Sequence, residues 1–260
     1  MRDKIKAVFF DIDGTLVSFN THRVPESALR AIKRLRERGI KVFIATGRLL
    51  RHTEVVKDIE VDGYITVNGS YCITAEGETI FECHFPTRTV EKVFALEQKY
   101  GFTAAVMTHE DIYVDSLAGR PKEVADMINI TPVEADLNEI VATQNVLQMC
   151  PYISLELEQI VMPQIPECVA SRWTDKFMDI NIRGIDKSVG ASKVMEYYGL
   201  SLAEAMAFGD GGNDVPIVRD VGLGVAMDNG CDELKAVADY ITSSVDEDGV
   251  ERALQHFNLI

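Results

Sequence analysis

The sequence of 260 residues has little tryptophan, little cysteine and a deficit of positive charge. It contains one tryptophan and five cysteines, which are far apart and form no Cys-x-x-Cys pair. An odd number of widely separated cysteines is typical of free thiols in a reducing compartment, not of a disulfide framework. We therefore predict a cytoplasmic protein.

Long apolar segments are also missing from the sequence. No stretch approaches the ~20 consecutive apolar residues that a membrane-spanning helix needs. Near the N-terminus, the apolar run 7–10 ends at Asp11 and is too short for the hydrophobic region of a secretion signal. We expect neither a membrane partner nor a secretion signal.

Acidic residues dominate the charged set. The 41 Asp and Glu residues outnumber the 26 Lys and Arg residues, which gives a formal net charge of −15 at pH 7. This balance argues against nucleic acid or an anionic membrane surface as a partner. An anionic small molecule would also be repelled unless its site carried positive charge of its own. We expect a small-molecule partner and a monomer or weak homo-oligomer.

Both ends of the chain alternate strand-like and helix-like segments. Apolar runs predict strands, and apolar residues at helical spacing predict helices between them. Strands that alternate with helices of this length indicate βαβ units, a parallel sheet and helices on both faces. The predicted strands are 5–10, 41–45, 64–67, 205–208, 223–226 and 239–242, and the predicted helices are 26–38, 190–198, 214–219, 231–238 and 247–256.

The middle of the chain has a different pattern. Short strands there are separated by polar turns, which favours an antiparallel, open-faced α+β sheet. The fold class is therefore α/β, with a Rossmann-like doubly wound parallel sheet core (1–83 and 184–260) and an inserted α+β domain (84–183). The inserted domain has predicted helices at 90–100 and 120–129, and predicted strands at 103–107, 112–115, 146–150, 169–173 and 178–182.

Four polar clusters follow or border these apolar runs. In a doubly wound sheet, ligands bind just beyond the carboxyl ends of the strands, so the clusters are expected to converge there. They are Asp11-Ile-Asp-Gly-Thr15, Thr46-Gly-Arg48, Asp186-Lys187 and Gly209-Asp-Gly-Gly-Asn-Asp214.

Convergence would bring several carboxylates together. Two carboxylates about 4 Å apart repel by roughly 4 kcal/mol at an effective dielectric constant of about 20. A divalent cation would neutralise that repulsion, and an all-oxygen ligand set without His or Cys favours Mg²⁺ over Zn²⁺. The carboxylates concerned are those of Asp11, Asp13, Asp210 and Asp214.

The other polar groups of the clusters fit a phosphate site. Lys187 can offset the charge of a transferring phosphoryl group, while hydroxyl, amide and backbone N–H groups can donate hydrogen bonds to its oxygens. The predicted phosphate-binding residues are Ile12, Thr46, Gly47, Lys187 and Asn213, with Thr46 and Lys187 also counted as catalytic.

Two aspartates take different predicted roles in this site. Asp11 can attack phosphorus, as aspartate does in enzymes that form aspartyl-phosphates. Asp13 can protonate the leaving oxygen and later deprotonate water. Gly14 permits a tight turn that brings Asp13 back over the site.

The motifs resemble a known family. Asp11-Ile-Asp-Gly-Thr-Leu16, Ala45-Thr-Gly-Arg48, Lys187 and Gly209-Asp-Gly-Gly-Asn-Asp214 are similar to the four motifs of the haloacid dehalogenase superfamily of phosphatases. The tail Gly224-Val-Ala-Met-Asp-Asn-Gly230 resembles that of its Cof-type subfamily. One departure is Ser188, which follows Lys187 where a glycine is common.

This resemblance implies a fold, a metal site and a substrate class. It implies a Rossmann-like core that binds Mg²⁺ through the carboxylates of Asp11 and Asp210 and the backbone carbonyl of Asp13. Asp214 would support these ligands without binding the metal. The inserted domain would be an α/β cap that closes over small phosphate monoesters, often sugar phosphates.

Four further residues are candidates for contact with the substrate. Arg48 and Asn68 lie just past predicted core strands, and Asp179 and Asn181 alternate along a predicted strand of the inserted domain. Alternation places the last two on one face of the sheet. We predict that all four bind the substrate, with sugar hydroxyls as partners of Asp179 and Asn181.

Three other functions use similar residues. A phosphomutase would pass the phosphoryl group from Asp11 to a sugar, and a non-catalytic sensor would only bind the sugar phosphate. A receiver-type signalling module also has an aspartate, a hydroxyl residue and a lysine on a doubly wound sheet. It is about half this length, however, and its phosphorylated aspartate lies on a middle strand of the chain. Hydrolysis of a phosphate monoester is the leading hypothesis.

Overall fold

A computed structural model describes residues 4–128, 130–172 and 174–260. The chain forms two compact units, Met1–Glu82 with Ile185–Ile260, and Cys83–Gly184. In the part of the chain described, no helix combines the length and the apolar character that crossing a membrane requires.

The elements follow one another as strands and helices of modest length. The strands are β1 (Ala7–Phe10), β2 (Lys41–Ala45), β3 (Gly63–Thr66), β4 (Tyr71–Thr74), β5 (Thr79–Glu82), β6 (Ala104–Met107), β7 (Ile112–Val114), β8 (Val133–Glu134), β9 (Gln148–Pro151), β10 (Cys168–Ser171), β11 (Asp179–Ile182), β12 (Ala205–Gly209), β13 (Leu223–Ala226) and β14 (Tyr240–Ile241). The helices are α1 (Glu26–Glu37), α2 (Thr87–Tyr100), α3 (Arg120–Ile128), α4 (Leu137–Thr143), α5 (Leu155–Val161), α6 (Lys187–Tyr197), α7 (Val215–Asp220), α8 (Asp232–Lys235) and α9 (Gly249–His256).

The first unit is built on an eight-stranded sheet in the order β14-β13-β12-β1-β2-β3-β4-β5. The strands from β14 to β3 are parallel, whereas β3, β4 and β5 pair in antiparallel fashion. The central strand β1 therefore has β2 on one side and β12 on the other. Because these three strands are parallel, their carboxyl ends meet at one edge of the sheet.

Successive side chains of β1 lie on opposite faces of this sheet. Val8 and Phe10 pack in the layer formed with α1 and α9, and Ala7 and Phe9 pack in the layer formed with α6 and α7. The ring of Phe9 stacks on Phe43 at 5.1 Å between centroids. A strand covered on both faces is apolar throughout, which explains its continuous hydrophobic run.

The second unit is a six-stranded sheet in the order β10-β11-β9-β6-β7-β8. Its pairs are antiparallel except for β7 and β8. Apolar residues of α2, α4 and α5 pack with the strands into one core cluster. Short antiparallel strands with helices on a sheet face make this unit α+β.

The predicted fold class, a Rossmann-like parallel core with an inserted α+β unit, is confirmed. The predicted boundaries, 83/84 and 183/184, each lie one residue from the division between the compact units. The predicted end of helix 120–129 at Asn129, and that of strand 169–173 at Trp173, fall outside the described residues.

The core sheet has one part that was not predicted. The hairpin β4–β5 extends the sheet beyond β3 in antiparallel fashion, and the sequence analysis did not assign it. It also missed β8, α4 and α5. These two helices have seven residues each, about two turns, which is too short for an apolar period to stand out.

A half-buried carboxyl group in the second unit gives a prediction about stability. Glu97 on α2 accepts a hydrogen bond from the backbone N–H of Ala104 at 3.1 Å. Burial raises the pKa of Glu97 to about 7, from an ordinary value of 4.5, and the charge of Asp115 adds to this effect. The folded protein therefore binds this proton more tightly than the unfolded chain does.

We expect the free energy of unfolding to fall as the pH rises from about 4.5 to about 7, because ionised Glu97 is disfavoured in the fold. Glu97→Gln should remove this part of the pH dependence, measured by urea denaturation at a series of pH values. Glu91→Gln, on the exposed face of the same helix, is the control. An unchanged pH slope in Glu97→Gln would contradict the assignment.

Candidate active site

The two aspartates that follow β1 lie on a tight turn. Gly14 has a φ of +81°, and its N–H donates to the carbonyl of Val17 at 2.9 Å. A Cβ at position 14 would lie 2.2 Å from Oδ2 of Asp210. Both the backbone conformation and this close approach require glycine, so the turn brings the Asp11–Asp13 segment against the loop that carries Asp210.

A buried lysine joins two carboxylates at the centre of the site. Lys187 is the first residue of α6, and its Nζ donates to Oδ1 of Asp11 at 2.7 Å and to Oδ1 of Asp214 at 2.6 Å. The Lys187 side chain is fully buried. The residue that departs from the family pattern, Ser188, donates from Oγ to Oδ2 of Asp220 at 2.7 Å.

Asp214 uses both of its oxygens to hold the structure around it. Its Oδ1 accepts from Lys187, and its Oδ2 accepts from the backbone N–H groups of Asp210 at 3.1 Å and Gly211 at 2.9 Å. Asp210 in turn accepts from the hydroxyl of Thr15 at 3.1 Å. Asp214 therefore fixes both the ammonium group and the loop that carries Asp210.

Burial sets the protonation behaviour of these groups. Burial raises the pKa of Asp11 well above its ordinary value, and the negative charges of Asp214 and Asp210 reinforce it while Lys187 opposes it. Burial raises the pKa of Asp210 to about 7, and the negative charge of Asp214 contributes to this increase. Burial alone would lower the pKa of Lys187, but attraction to Asp11 and Asp214 outweighs it and the pKa is raised.

The donor set fits a divalent cation. Carboxylate oxygens of Asp11, Asp210 and Asp214 lie within 4.8 Å of one another. When all of these groups are ionised, three carboxylates and the single ammonium of Lys187 have a net charge of −2. One divalent cation would neutralise this charge. Oxygen donors alone suit Mg²⁺. Because Asp214 already satisfies three donors, Asp11 and Asp210 are the better placed ligands.

Asp13 is held by an arginine from the loop after β2. Arg48 donates from Nε to Oδ2 of Asp13 at 2.8 Å and from Nη2 to Oδ1 at 2.6 Å. Its Nη1 donates to the backbone carbonyl of His52 at 2.9 Å. Thr46 is buried in the same loop, and its hydroxyl accepts from the N–H of Arg48 at 3.1 Å. Arg48, predicted to contact substrate, is thus bound to the predicted acid–base residue.

An amide pair joins two further predicted residues. Nδ2 of Asn213 donates to Oδ1 of Asn68 at 3.0 Å. Asn68 is only 6% exposed. The predicted substrate contact therefore lies within the first unit, against the loop that carries Asp210 and Asp214.

Comparison with known proteins decides the family. The sequence model of the haloacid dehalogenase-like hydrolases matches residues 8–254. The chain belongs to this family.

Solved structures and curated proteins of this family show the same likeness over nearly the whole chain. The phosphatase BT1666 from Bacteroides thetaiotaomicron is 36% identical with a TM-score of 0.94, over 98% of this chain and 96% of that one. The sugar phosphatase BT4131, of subclass IIB, is 38% identical with a TM-score of 0.88, over 98% of this chain and 100% of that one. The 5-amino-6-(5-phospho-D-ribitylamino)uracil phosphatase YcsE from Bacillus subtilis (strain 168) is 27% identical, over 98% of this chain and 96% of that protein. This haloacid dehalogenase-like hydrolase is therefore a phosphatase.

The two predicted contacts on β11 belong to the second unit of this hydrolase. Asp179 and Asn181 alternate along the strand and share a sheet face. Oδ1 of Asp179 accepts from Nε2 of Gln148 at 3.0 Å, and burial raises the pKa of Asp179 to about 6. Asn181 is buried, and its Oδ1 has no hydrogen-bond partner among the described residues. Their binding of substrate stays a prediction.

Two residues around the turn that carries Asp11 and Asp13 had no predicted role. Thr15 donates to Asp210, and Asn229 donates from Nδ2 to the carbonyl of Gly14 at 2.8 Å while its Oδ1 accepts from the N–H of Val245 at 3.1 Å. Asn229 lies just past β13, so the rule that places ligand-binding residues beyond the strand ends would have found it.

The buried lysine gives a testable stability difference. Lys187→Met removes the ammonium and leaves Asp11 and Asp214 buried without their partner, so we expect the free energy of unfolding to fall by about 3–5 kcal/mol. The measurement is urea denaturation in the presence of EDTA. On the same helix, Lys193→Met removes an exposed partner of Glu196 and should change stability by less than about 1 kcal/mol. A Lys187→Met protein as stable as the wild type would contradict the buried ion pair.

Proposed function

We propose that this phosphatase hydrolyses small phosphate monoesters, with sugar phosphates as its substrate class, in a Mg²⁺-dependent reaction through an aspartyl-phosphate on Asp11. The proposal rests on one observation: Asp11 and Asp13 are held by different partners. Asp11 is buried and fixed through one oxygen by Lys187, whereas Asp13, two residues on, is held by Arg48. This difference supports a role as nucleophile for Asp11 and as proton carrier for Asp13.

In the first half-reaction, a carboxylate oxygen of Asp11 forms a bond to phosphorus while the bond to the leaving oxygen breaks. Lys187 fixes one oxygen of Asp11 and hence the orientation of the other. Asp13 gives its proton to the leaving alkoxide, which departs as the free alcohol. Backbone N–H groups of Ile12 and Gly47, with Thr46 and Asn213, would donate hydrogen bonds to the phosphoryl oxygens.

In the second half-reaction, water attacks the phosphorus of the aspartyl-phosphate. Asp13, now ionised, takes the proton of this water, and the bond between phosphorus and Asp11 breaks to release inorganic phosphate and the free carboxylate. The two hydrogen bonds from Arg48 hold the Asp13 side chain in a fixed position, which suits a residue that transfers protons in both half-reactions.

Mg²⁺ would be held by the carboxylates of Asp11 and Asp210 and the backbone carbonyl of Asp13. When bound, it would supply positive charge against the phosphoryl oxygens in addition to that of Lys187. Asp214 would support the site through Lys187 and the backbone of Asp210 and Gly211 without binding the metal.

Relatives and the second unit support the substrate class. BT4131 is a sugar phosphatase, and YcsE acts on a phosphorylated ribityl chain. We propose that Met1–Glu82 with Ile185–Ile260 is the catalytic core and that Cys83–Gly184 is the cap that selects the substrate. Asp179 and Asn181 present carboxylate and amide groups, which suit the hydroxyls of a sugar.

Asp11→Asn tests the covalent mechanism. The amide keeps the shape of the side chain but is a poor nucleophile, so kcat should fall by about 10⁴-fold or more. The assay measures inorganic phosphate released from hexose, pentose and triose phosphates, nucleotides, flavin phosphate and pyridoxal phosphate, each with and without Mg²⁺. Asp58→Asn, an exposed aspartate, is the control. Turnover near that of the wild type in Asp11→Asn would refute the mechanism, and an isomerised sugar phosphate in place of phosphate would indicate a mutase.

Asp13→Asn separates proton transfer from metal binding. We expect kcat/KM, which reports formation of the aspartyl-phosphate, to fall by about 10²- to 10⁴-fold on sugar phosphates, whose alkoxide needs a proton. On 4-nitrophenyl phosphate, whose phenolate leaves without a proton, kcat/KM should fall by less. Mg²⁺ affinity, measured by calorimetry, should stay within about threefold because the proposed ligand at this position is a backbone carbonyl. Loss of Mg²⁺ binding, or equal losses on both substrates, would contradict the assigned role.

A further inference from the structure

The loop after β3 has an unusual backbone. Three consecutive residues have positive φ angles, Val67 at 49°, Asn68 at 52° and Gly69 at 97°. For a β-branched residue such as Val67 this conformation is an outlier. Strained conformations persist only where the surrounding structure holds them, and they concentrate at functional sites.

Backbone hydrogen bonds tie this loop to the loop after β2. The N–H of Val67 donates to the carbonyl of Arg48, and the N–H of Asn68 donates to the carbonyl of Thr46, each at 3.1 Å. These hydrogen bonds maintain the positive φ angles. They connect the loop to Arg48, which holds Asp13, and to Thr46, which is proposed to bind phosphate.

The side chain of Asn68 is directed at two of the proposed phosphate-binding residues. Its Oδ1 accepts from Nδ2 of Asn213 at 3.0 Å. A Cβ at Gly47 would lie 3.1 Å from the same oxygen, so the amide of Asn68 also lies close to the Gly47 backbone. One side chain thus contacts loops that are far apart in sequence.

The third residue of the loop approaches the lysine segment. A Cβ at Gly69 would lie 2.0 Å from the carbonyl oxygen of Asp186, the residue that caps the helix beginning at Lys187. Only glycine permits this contact, at a φ that also favours glycine. Residues 67–69 therefore contact three segments of the site: 46–48, 186–187 and the loop of Asn213.

We propose that Asn68 is a positioning residue for phosphoryl transfer, which fixes the amide of Asn213 and the backbone at Gly47 and does not contact the substrate. This inference rests on the proposed function of the site. An amide nitrogen carries two hydrogens. With one of them bound to Oδ1 of Asn68, the plane of the Asn213 amide is fixed and so is the direction of the second.

Asn213 needs such a partner because of its surroundings. It follows Gly211 and Gly212 in a short 3₁₀ turn, where the backbone has few side chains to restrain it. Without the contact from Asn68, the amide of Asn213 would sample several rotamers, and ordering it would cost free energy during the reaction. A group that is ordered beforehand contributes more to the transition state.

Asn68→Gly tests the role of the side chain without disturbing the backbone. Glycine adopts a φ of 52° without strain, so the melting temperature should stay within about 3 °C of the wild type. We expect kcat to fall by about 10- to 100-fold on the best phosphate ester of the wild type. KM should change by less than about threefold, because the affected interaction belongs to the transition state and not to ground-state binding.

The matched control is Asn258→Gly. Asn258 is exposed, has a φ of 57° and belongs to none of the loops of the site, so kcat and KM should equal those of the wild type. A rise in KM at constant kcat in Asn68→Gly would show a substrate contact in place of a positioning role. Wild-type kcat and KM in Asn68→Gly would overturn the proposal outright.

A double-mutant cycle tests whether Asn68 acts through Asn213. In the Asn213→Ala background, Asn68→Gly should lower kcat by less than about threefold, because the partner is already absent. Additive losses would overturn this coupling. Absence of phosphate-ester hydrolysis by the wild type would refute the proposed function itself, whereas an active wild type with an equally active Asn68→Gly variant refutes only the inference about Asn68.

Discussion

The site depends on one buried ammonium group. Lys187 is enclosed completely, and its two carboxylate partners make that burial possible. Removing an unpaired charge from water costs several kcal/mol, so each member of the group requires the others. Asp214 extends the restraint to the backbone of Asp210 and Gly211. Asp11, Lys187 and the loop that carries Asp210 are thus a single electrostatic unit.

Much of the candidate active site could be predicted from the sequence because the topology of the sheet brings its residues together. Asp11 follows β1 and Asp210 follows β12, and these parallel neighbours end at the same edge of the sheet. An apolar run followed by a polar cluster is therefore enough to place both side chains. Lys187 follows no parallel strand, and its position could be expected only from the order of the motifs. The ion pair between Lys187 and Asp11 depends on how α6 packs against the sheet.

The remaining features have no local signal. Arg48 binds Asp13 across 35 residues, and Asn213 binds Asn68 across 145 residues. The sequence pattern shows that each of these residues follows a strand. It does not show which distant residue each one contacts in the folded protein. The hairpin β4–β5 was missed for a related reason. A pair of four-residue strands at the end of a sheet is specified by pairing with β3 as much as by its own apolar pattern.

The order of the strands also has a consequence for synthesis of the chain on the ribosome. The central strand β1 pairs with β12, whose first residue is Ala205. At ~5–20 residues per second, β1 emerges roughly 10–40 s before its second neighbour exists. The segment Cys83–Gly184 is contiguous and is complete within that interval. An apolar strand with one unpaired edge is prone to intermolecular pairing. The nascent chain therefore passes through a period in which the apolar strand β1 depends on chaperones or on transient burial for protection.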